Sequence, residues 1–445
     1  MIAATEKIGR IKNIIGTTQI VNQTGVVTRV VGIVVEATGP ALRVGDQVAI
    51  SVQRGKIPGE VVGFRDGRIY IIPLGEMTGI GPGALVIAEG KPLVARVGPE
   101  LLGRVLDGLG RPIDDGPPLL CSEIKPFENS SPPPMHRKRI TKPLFTGIKT
   151  IDSFLTLGQG QRIAILAGSG VGKSILLGMI ARSSSADVNV IGLVGERGRE
   201  VRDFIEKDLG PEGLKKSVVV AVTSDNSPLL RIKGIMLATT IAEYFRDKGQ
   251  NVALLIDSLT RVATGQREIG LSVGEPPTTR GYTPSVFSLL PKMLERAGQA
   301  KTGSITGFYT VLVEGDDFSE PISDAVKAIL DGHIVLSRSL ASKNHYPAID
   351  VLESISRLMP EITSREHQDV AIRCRQVMAD YRDAEDLINI GAYVRGSSLK
   401  IDYALERIDP LNQFLRQRID DRGDYESSLK FLKELLGNGK KDEKA

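Results

Sequence analysis

A glycine-rich stretch in the middle of the chain has the residue types and spacing that hold a triphosphate. It has the sequence AGSGVGKS over residues 167–174 and follows the apolar run 163–166. Small residues let backbone N–H groups turn inward around phosphate oxygens, at the positive end of the helix that begins there. Lys173 can reach the β- and γ-phosphates, and the Ser174 hydroxyl can bind Mg²⁺. The predicted nucleotide-binding residues of this loop are Gly168, Ser169, Gly170, Val171, Gly172, Lys173 and Ser174.

The loop departs from the usual pattern at one position. Ala167 stands where the pattern G-x-x-x-x-G-K-[ST] has its first glycine. Alanine carries a Cβ atom, so we predict a negative φ at Ala167. A glycine-rich turn that happens to precede a lysine is the alternative, but a strand-like run before the loop and helix-forming residues after it favour phosphate binding. The loop indicates a nucleoside triphosphate and does not say what work the nucleotide drives.

Two carboxylates follow strand-like runs further along the chain. Asp257 ends the apolar run 251–256, where a carboxylate can hold Mg²⁺ through water, although such a residue can also simply cap the next helix. Glu196 follows the run 188–194 and can orient or deprotonate the attacking water, because ligands bind at the carboxyl ends of strands in open α/β sheets. The segment 195–200 is rich in charge, so a solvated cluster is the alternative for Glu196.

Two arginines near these carboxylates could neutralise charge at the γ-phosphate. Arg197 follows Glu196 directly, and Arg261 lies four positions after Asp257. Structural salt bridges are the competing explanation for both residues. The segment around Arg357 has no motif status of its own, so its composition predicts only a loop with an arginine.

The elements that must position these residues form three segments. Continuous apolar runs alternate with helical stretches from residue 160 to about 340, which is typical of a parallel sheet buried on both faces. Earlier, short β-rich runs such as 26–35, with a turn at Asp66-Gly67, predict a small closed barrel. We divide the chain into an amphipathic helix at 1–22, a β-barrel at 23–92, an α/β ATPase-type domain at 93–362 with a proline-rich connection at 111–144, a helical domain at 363–436 and a disordered tail at 437–445.

Composition limits the classes of function. The chain has 445 residues, of which 41% are apolar and 25% charged, as expected for a globular protein with a substantial core. A net charge of +4 is too small to argue for nucleic acid. The two cysteines lie far apart and fit a reducing compartment. Because no apolar run approaches membrane-spanning length and no signal peptide is evident, we expect a cytoplasmic protein.

Seven longer segments resemble the ATPase of flagellar and type III protein export, a relative of the catalytic subunit of rotary ATP synthases. The resemblance extends from about residue 24 to 435. It implies an N-terminal β-barrel, a central RecA-like P-loop domain and a C-terminal helical domain, and the export branch commonly has alanine at the position of Ala167. The segments are AGSGVGKS, GERGREV, LLIDSLTR, GEPPTTRGYTPS, GSITGFYTVLVEGDD, AILDGHIVLSR and HYPAIDVLESISRLMP.

The resemblance implies a role for each candidate residue. Lys173 and Ser174 would bind phosphate and Mg²⁺, with Asp257 as the Mg²⁺ carboxylate. Glu196 would activate the attacking water. The resemblance adds two residues that the pattern alone did not single out, an adenine-stacking Tyr346 and an arginine finger, Arg357, that reaches the γ-phosphate of a neighbouring subunit.

Partners and a location follow from the same resemblance. An arginine finger acting in trans implies a homo-hexamer, and the loop 274–282 would face its central channel and contact a coiled-coil stalk protein. The helix at 1–22 would bind a regulatory, stator-like dimer, although packing against its own domain is an equal alternative. Export chaperone–substrate complexes and a membrane export gate would be further partners, which would place the protein in the cytoplasm at the periphery of the inner membrane.

Several functions remain open from the sequence. Flagellar export is the first choice because GSITGFYTVLVEGDD and DGHIVLSR resemble that branch most, and a virulence injectisome is the alternative because it shares these motifs. A hexameric nucleic-acid translocase would need a basic groove with aromatic residues on the barrel, but residues 24–92 contain only Phe64 and Tyr70 as aromatics. A non-hydrolysing structural subunit is disfavoured because Glu196 and Arg357 occur on one chain.

Overall fold

The structure is a computed structural model that describes residues 23–53, 55–313, 315 and 317–437. The predicted helix at 1–22 and all of the predicted tail except Gly437 lie outside the described residues. Among the described residues, those of Met1–Leu93 and Glu268–Glu275 form one compact unit, and those of Val94–Arg267 and Pro276–Ala445 form the other. The predicted C-terminal helical segment and, apart from Leu93 and residues 268–275, the predicted ATPase segment therefore belong to one unit.

The first unit is built on a closed six-stranded barrel. Val27, Ile50 and Ile71 are among the side chains that fill its interior. The run 26–35 is not one strand as predicted, because Gly32, with a φ of 56°, turns the chain back into a hairpin. The predicted turn at Asp66-Gly67 is confirmed, and both residues have positive φ, as a tight hairpin turn requires. The strands are β1 Thr24–Val31, β2 Val34–Thr38, β3 Gln47–Val52, β4 Gly55–Arg65, β5 Arg68–Pro73 and β6 Leu85–Ala88, and they pair in the order β1-β2-β5-β4-β3-β6.

The second unit contains a large, mostly parallel sheet. The strands of the second unit, numbered on from those of the barrel, are β7 Val94–Val97, β8 Val105–Leu106, β9 Glu123–Pro126, β10 Pro143–Leu144, β11 Leu157–Gly158, β12 Arg162–Ala167, β13 Val188–Glu196, β14 Ser217–Thr223, β15 Asn251–Asp257, β16 Gly298–Gln299, β17 Ser304–Leu312, β18 Gly332–Leu336 and β19 Ile349–Ser356. The main sheet has the order β19-β18-β12-β17-β15-β13-β14-β8, with β16 paired to β17. Strands β7 and β9, and β10 and β11, form two small antiparallel sheets.

Helices alternate with the parallel strands and then follow one another at the C-terminal end. They are α1 Lys149–Phe154, α2 Lys173–Ser183, α3 Gly198–Asp203, α4 Gly210–Lys215, α5 Pro228–Asp247, α6 Leu259–Ser272, α7 Pro284–Leu294, α8 Pro321–Ile329, α9 Arg338–Ser342, α10 Met359–Ile362, α11 Arg365–Asn389, α12 Leu399–Leu415 and α13 Tyr425–Leu436. The predicted fold class, a barrel followed by an α/β core and a helical region, is confirmed.

Within the described ranges, none of the helices combines enough length with enough apolar character to span a membrane.

Strand direction places residues at two opposite edges of the sheet. Because β12, β13 and β15 are parallel, the residues that end them lie at one edge, where ligands bind in open sheets. Strand β19 runs the other way: Ile349 pairs with Leu336, and Ser356 pairs with Gly332. Leu336 in turn lies beside Ala167, just before the phosphate loop. The four-residue step from Leu336 back to Gly332 therefore carries the end of β19 about 13 Å away from that loop.

A buried ion pair anchors the proline-rich connection to the core. The Arg296 guanidinium donates to both carboxylate oxygens of Glu243, at 2.9 Å each, and to the Phe127 carbonyl at 2.8 Å. The side chains of Arg296 and Glu243 are 5% and 1% exposed. Phe127 lies in the connection, so this arginine ties it to α5.

Replacement of Glu243 by alanine should destabilise the protein strongly, because it leaves the Arg296 charge buried without its partner. We expect the free energy of unfolding to fall by about 3–5 kcal/mol, measured by urea denaturation. Glu212→Ala is the matched control, since it removes an exposed ion pair with Lys215 and should change the stability little. An equal stability loss in both variants would show that the buried pair does not anchor the connection.

Candidate nucleotide-binding and catalytic site

The phosphate loop connects β12 to α2 with the geometry that its sequence predicts. Ala167 is buried at the end of β12 and is not among the described residues with positive φ, so its predicted negative φ is confirmed. Gly170 and Gly172 have φ of 78° and 94°, which glycine adopts without strain. A Cβ atom at Gly172 would lie 3.6 Å from the ring of Tyr346. The loop therefore passes directly beside this tyrosine.

Lys173 is the centre of a charged cluster at the carboxyl edge of the sheet. It begins α2, is 9% exposed, and forms an ion pair with Oδ1 of Asp257. Its Nζ atom also lies 3.4 Å from Oε1 of Glu196. The hydroxyl of Thr310 on β17 donates to the same Asp257 oxygen at 2.8 Å. The structure thus brings together the three charged residues that the sequence places after different strands.

Glu196 is the unusual acid of this cluster. Burial raises the pKa of its carboxyl from 4.5 to about 7, against the opposing effect of the Lys173 charge, and the Asp257 charge adds to the rise. A hydrogen bond with Glu200 also raises the pKa of Glu196 and lowers that of Glu200. A carboxyl group that titrates near neutral pH can accept a proton from water, which suits a general base.

The oxygen donors at this edge fit a magnesium ion. Ser174 is the second residue of α2, and the Asp257 carboxylate lies at the end of β15. Mg²⁺ takes oxygen ligands, keeps several waters and binds through one or two protein groups together with substrate phosphates.

A cavity of about 620 Å³ opens beside the phosphate loop. Val171, Gly172 and the neighbouring Tyr346 are among the residues that line it. The loop 416–421, which follows α12 near the C-terminal end, also lines the cavity. The lining is mainly apolar, as expected for the binding site of a nucleotide base.

The three candidate arginines have different surroundings. Arg197 precedes α3, and its side chain is 81% exposed with an ion pair to Glu200 at 3.2 Å. The stem of Arg261 packs close to Gly195, where a Cβ atom would lie 2.6 Å from Cγ of the arginine. Arg357 is exposed beyond the end of β19, and its guanidinium donates to the Lys327 carbonyl at 3.3 Å. The structure therefore places Arg357 at the edge of the sheet opposite to Lys173.

Sequence reasoning missed several residues of the site. Thr310 and Glu200 contact the charged cluster, and Gln417 belongs to the loop that lines the cavity. Glu200 lies in the charge-rich segment that already contained Glu196, which was a usable signal. Thr310 lies in a buried strand, and Gln417 lies more than 200 positions after the phosphate loop, so neither is indicated by any spacing.

Family models match three consecutive parts of the chain. The nucleotide-binding domain of the ATP synthase alpha/beta family matches residues 147–356, and the beta-barrel domain of the same family matches residues 27–90. A model described as the T3SS EscN ATPase C-terminal domain matches residues 363–434.

Individual proteins are similar over nearly the whole chain. The flagellum-specific ATP synthase of Bacillus subtilis is 54% identical over 419 residues, which cover 93% of this chain and 95% of the relative. The type 3 secretion system ATPase of Xanthomonas euvesicatoria is 49% identical, covering 92% of this chain and 93% of that protein. The assembled ATPase EscN of enteropathogenic E. coli, solved in complex with its central stalk EscO, superposes with a TM-score of 0.85 at 41% identity, covering 93% of this chain and 100% of EscN.

The charges around Glu196 should control its titration in opposite directions. Lys173→Gln removes a cation and should raise the pKa of Glu196 above about 7, whereas Asp257→Asn removes an anion and should lower it. Infrared difference spectra of protein with ¹³C-labelled glutamate side chains, recorded against pH, would measure both shifts. Glu196→Gln identifies the signal by abolishing it. A lower pKa in Lys173→Gln would contradict the proposed charge arrangement.

Proposed function

We propose a function for this chain on the basis of its family. The chain belongs to the ATP synthase alpha/beta family, within the group of flagellum-specific and type III secretion ATPases. It binds and hydrolyses ATP. We propose that it acts as the homo-hexameric motor of a flagellar protein export apparatus and energises the unfolding and export of substrate proteins. The observation that carries this proposal is the position of Arg357, on the opposite edge of the sheet from the phosphate loop.

The side chains and loop N–H groups at the carboxyl edge of the sheet share the steps of hydrolysis. The N–H groups of the loop and the Lys173 ammonium bind the phosphates, for which Lys173 moves from the carboxylates to the nucleotide. Ser174 and, through water, Asp257 would hold Mg²⁺, which neutralises charge on the β- and γ-phosphates. Glu196 in its ionised form orients the attacking water and takes its proton. Tyr346 stacks on the adenine in the cavity beside the loop.

Stabilising the transition state needs a further cation, and Arg357 supplies it to a neighbouring subunit. Its main-chain N–H donates to the Asp331 carbonyl, and the main-chain N–H of Asp331 donates to the carbonyl of Arg162 at the start of β12. The phosphate loop follows the other end of β12, five residues further on, which is about 17 Å of strand. An arginine side chain cannot cover that distance, so within one chain the site lacks its finger. A ring of subunits gives each phosphate loop the Arg357 of its neighbour.

Residues 276–282, the part of the predicted loop 274–282 that belongs to the second unit, are a suitable contact for a central stalk. Arg280 forms ion pairs with Asp317 at 2.6 Å and with Glu320 at 3.1 Å, which hold the loop in a defined shape. The similar protein EscN was solved with its central stalk EscO. We propose that this chain likewise binds a coiled-coil stalk protein, and that a stator-like regulatory dimer binds at residues 1–22. Export chaperone–substrate complexes and the membrane export gate would be further partners of a cytoplasmic protein at the inner membrane.

A gene deletion separates the flagellar proposal from its alternative, an injectisome ATPase. Both kinds of relative are similar to this chain, at 54% and 49% identity. We expect the deletion strain to lose motility and filaments while the secretion of effector proteins continues. Loss of effector secretion with normal motility would instead assign the chain to an injectisome.

Mixing two inactive variants tests whether Arg357 acts in trans. Lys173→Ala has no functional phosphate loop but keeps Arg357, whereas Arg357→Ala keeps the phosphate loop but lacks the arginine. Each variant alone should therefore lose about 10³-fold or more of the ATPase rate. In rings formed from an equal mixture, about a quarter of the subunit interfaces combine the intact halves, and a corresponding activity should return. Mixing Lys173→Ala with the double variant is the control. No recovery in the first mixture would show that the arginine does not act across an interface.

Glu196 should give the hydrolysis a defined pH dependence. Because only the ionised carboxyl can take a proton, kcat/KM for ATP should fall about tenfold per pH unit below the pKa near 7 and level off above it. Glu196→Gln should bind ATP and lose turnover. Its ATP affinity, measured over the same pH range, gives the contribution of the nucleotide's own titration. Hydrolysis at the wild-type rate in Glu196→Gln would contradict the assignment of Glu196 as the base.

A further inference from the structure

A single buried glutamine connects the C-terminal helical region to the nucleotide cavity. Gln417 lies in the loop 416–424 between α12 and α13, and the residue is 6% exposed although its neighbours Arg416 and Arg418 are exposed. The same loop forms one wall of the cavity beside the phosphate loop. Gln417 therefore points away from solvent at the place where the loop meets the α/β core.

Every hydrogen-bonding group of the Gln417 amide is used. Its Oε1 atom accepts from the main-chain N–H of Lys149 at 2.8 Å. Its Nε2 atom donates to the carbonyls of Gly147 at 2.8 Å and of Asp421 at 3.0 Å. Its main-chain N–H donates to the carbonyl of Tyr346 at 2.9 Å. One residue thus binds the start of α1, the far end of its own loop and the residue whose ring lies beside Gly172.

The turn that receives Gln417 is itself held in place. The buried carboxyl of Asp152 accepts from the N–H groups of Thr146 and Gly147, at 2.8 and 2.9 Å, and from the Thr146 hydroxyl at 2.8 Å. The Gly147 carbonyl also accepts from the N–H of Gly423 at 2.8 Å. Because the turn belongs to the α/β core, these bonds fix both ends of the cavity-lining loop to the core.

We propose that Gln417 is a positioning residue for the nucleotide base. It holds the loop 416–421 and the backbone of Tyr346 at the spacing that an adenine ring needs, so that the base enters a preformed cavity. This inference rests on the proposed role of Tyr346 as the adenine-stacking residue. Gln417 forms no part of the phosphate loop or the charged cluster, so it contributes to the affinity for the base and leaves the affinity for the phosphates unchanged.

The test compares a ligand that has a base with one that has none. Gln417→Ala removes the partner of the Lys149 N–H and of the Asp421 carbonyl, and leaves the Gly147 carbonyl with only the Gly423 N–H. The loop is then less firmly held, so the Kd for ATP should rise about tenfold. The Kd for inorganic tripolyphosphate should stay within about twofold of wild type. In steady-state assays of the full chain, KM for ATP should rise while kcat at saturation stays close to wild type. Gln413→Ala, an exposed glutamine in α12, is the matched control and should change none of these values.

Further variants separate the possible failures. Gln417→Asn keeps the amide but is one methylene shorter, so it should shift the ATP affinity in the same direction and serves if Gln417→Ala does not fold. An equal loss of affinity for ATP and tripolyphosphate would assign Gln417 a general structural role and overturn the inference, as would unchanged affinities. If Tyr346→Ala also leaves the ratio of the two affinities unchanged, the proposed adenine site itself is wrong. If Tyr346→Ala changes the ratio and the Gln417 variants do not, only the inference about Gln417 fails.

Discussion

The charged cluster at the carboxyl edge of the sheet depends on one buried ammonium group, that of Lys173. Lys173 begins the helix after β12, while Asp257 and Glu196 end two other parallel strands, and the lysine lies between them. Burying charge costs free energy unless opposite charges compensate it, so the three side chains stabilise one another only when the strand ends are in register. One cation facing two carboxyl groups leaves an excess of negative charge, and burial together with the Asp257 charge raises the pKa of Glu196 to about 7. The same balance of charges that holds these strand ends together therefore sets the titration of Glu196, the proposed base.

In the proposed ring, strand β19 would contribute to two nucleotide sites. The residues before it bring Tyr346 beside the chain's own phosphate loop, and the residue after it, Arg357, lies at the opposite edge. An antiparallel strand at the border of a parallel sheet is the element that can do this, because every parallel strand delivers its end to the same edge. The proposed ring follows from this topology, since a nucleotide bound at one edge can meet an arginine of the other edge only across a subunit interface.

The parts of the site that the sequence predicts are those with local signals. Glycine spacing marks the loop 167–174, and carboxylates directly after apolar runs mark Glu196 and Asp257, because the ends of parallel strands converge without further information. The roles of Tyr346 and Arg357 were implied only by the family resemblance, and their positions in the fold became clear only from the pairing of β18 with β19. Thr310 and Gln417 could not be found, since their contacts join segments that are distant in the chain. The prediction of one strand over residues 26–35 is wrong for a local reason, because the chain turns back at Gly32 and forms two strands.

The loop after α12 also limits the exchange of domains between this chain and its relatives. A chimera that joins the α/β core of this protein to the C-terminal helices of a relative would have a junction near residue 363, well outside the cavity. Yet the exchanged piece would carry one wall of the nucleotide site with it, together with the hydrogen bonds of Gln417 to the core. His367 and Arg375 of α11 add bonds to the carbonyls of Ser153 and Phe154 in the same turn region. Recombination of domains in this architecture is therefore constrained by hydrogen bonds between side chains of the helical region and main-chain groups of the α/β core, which the composition of the linker does not reveal.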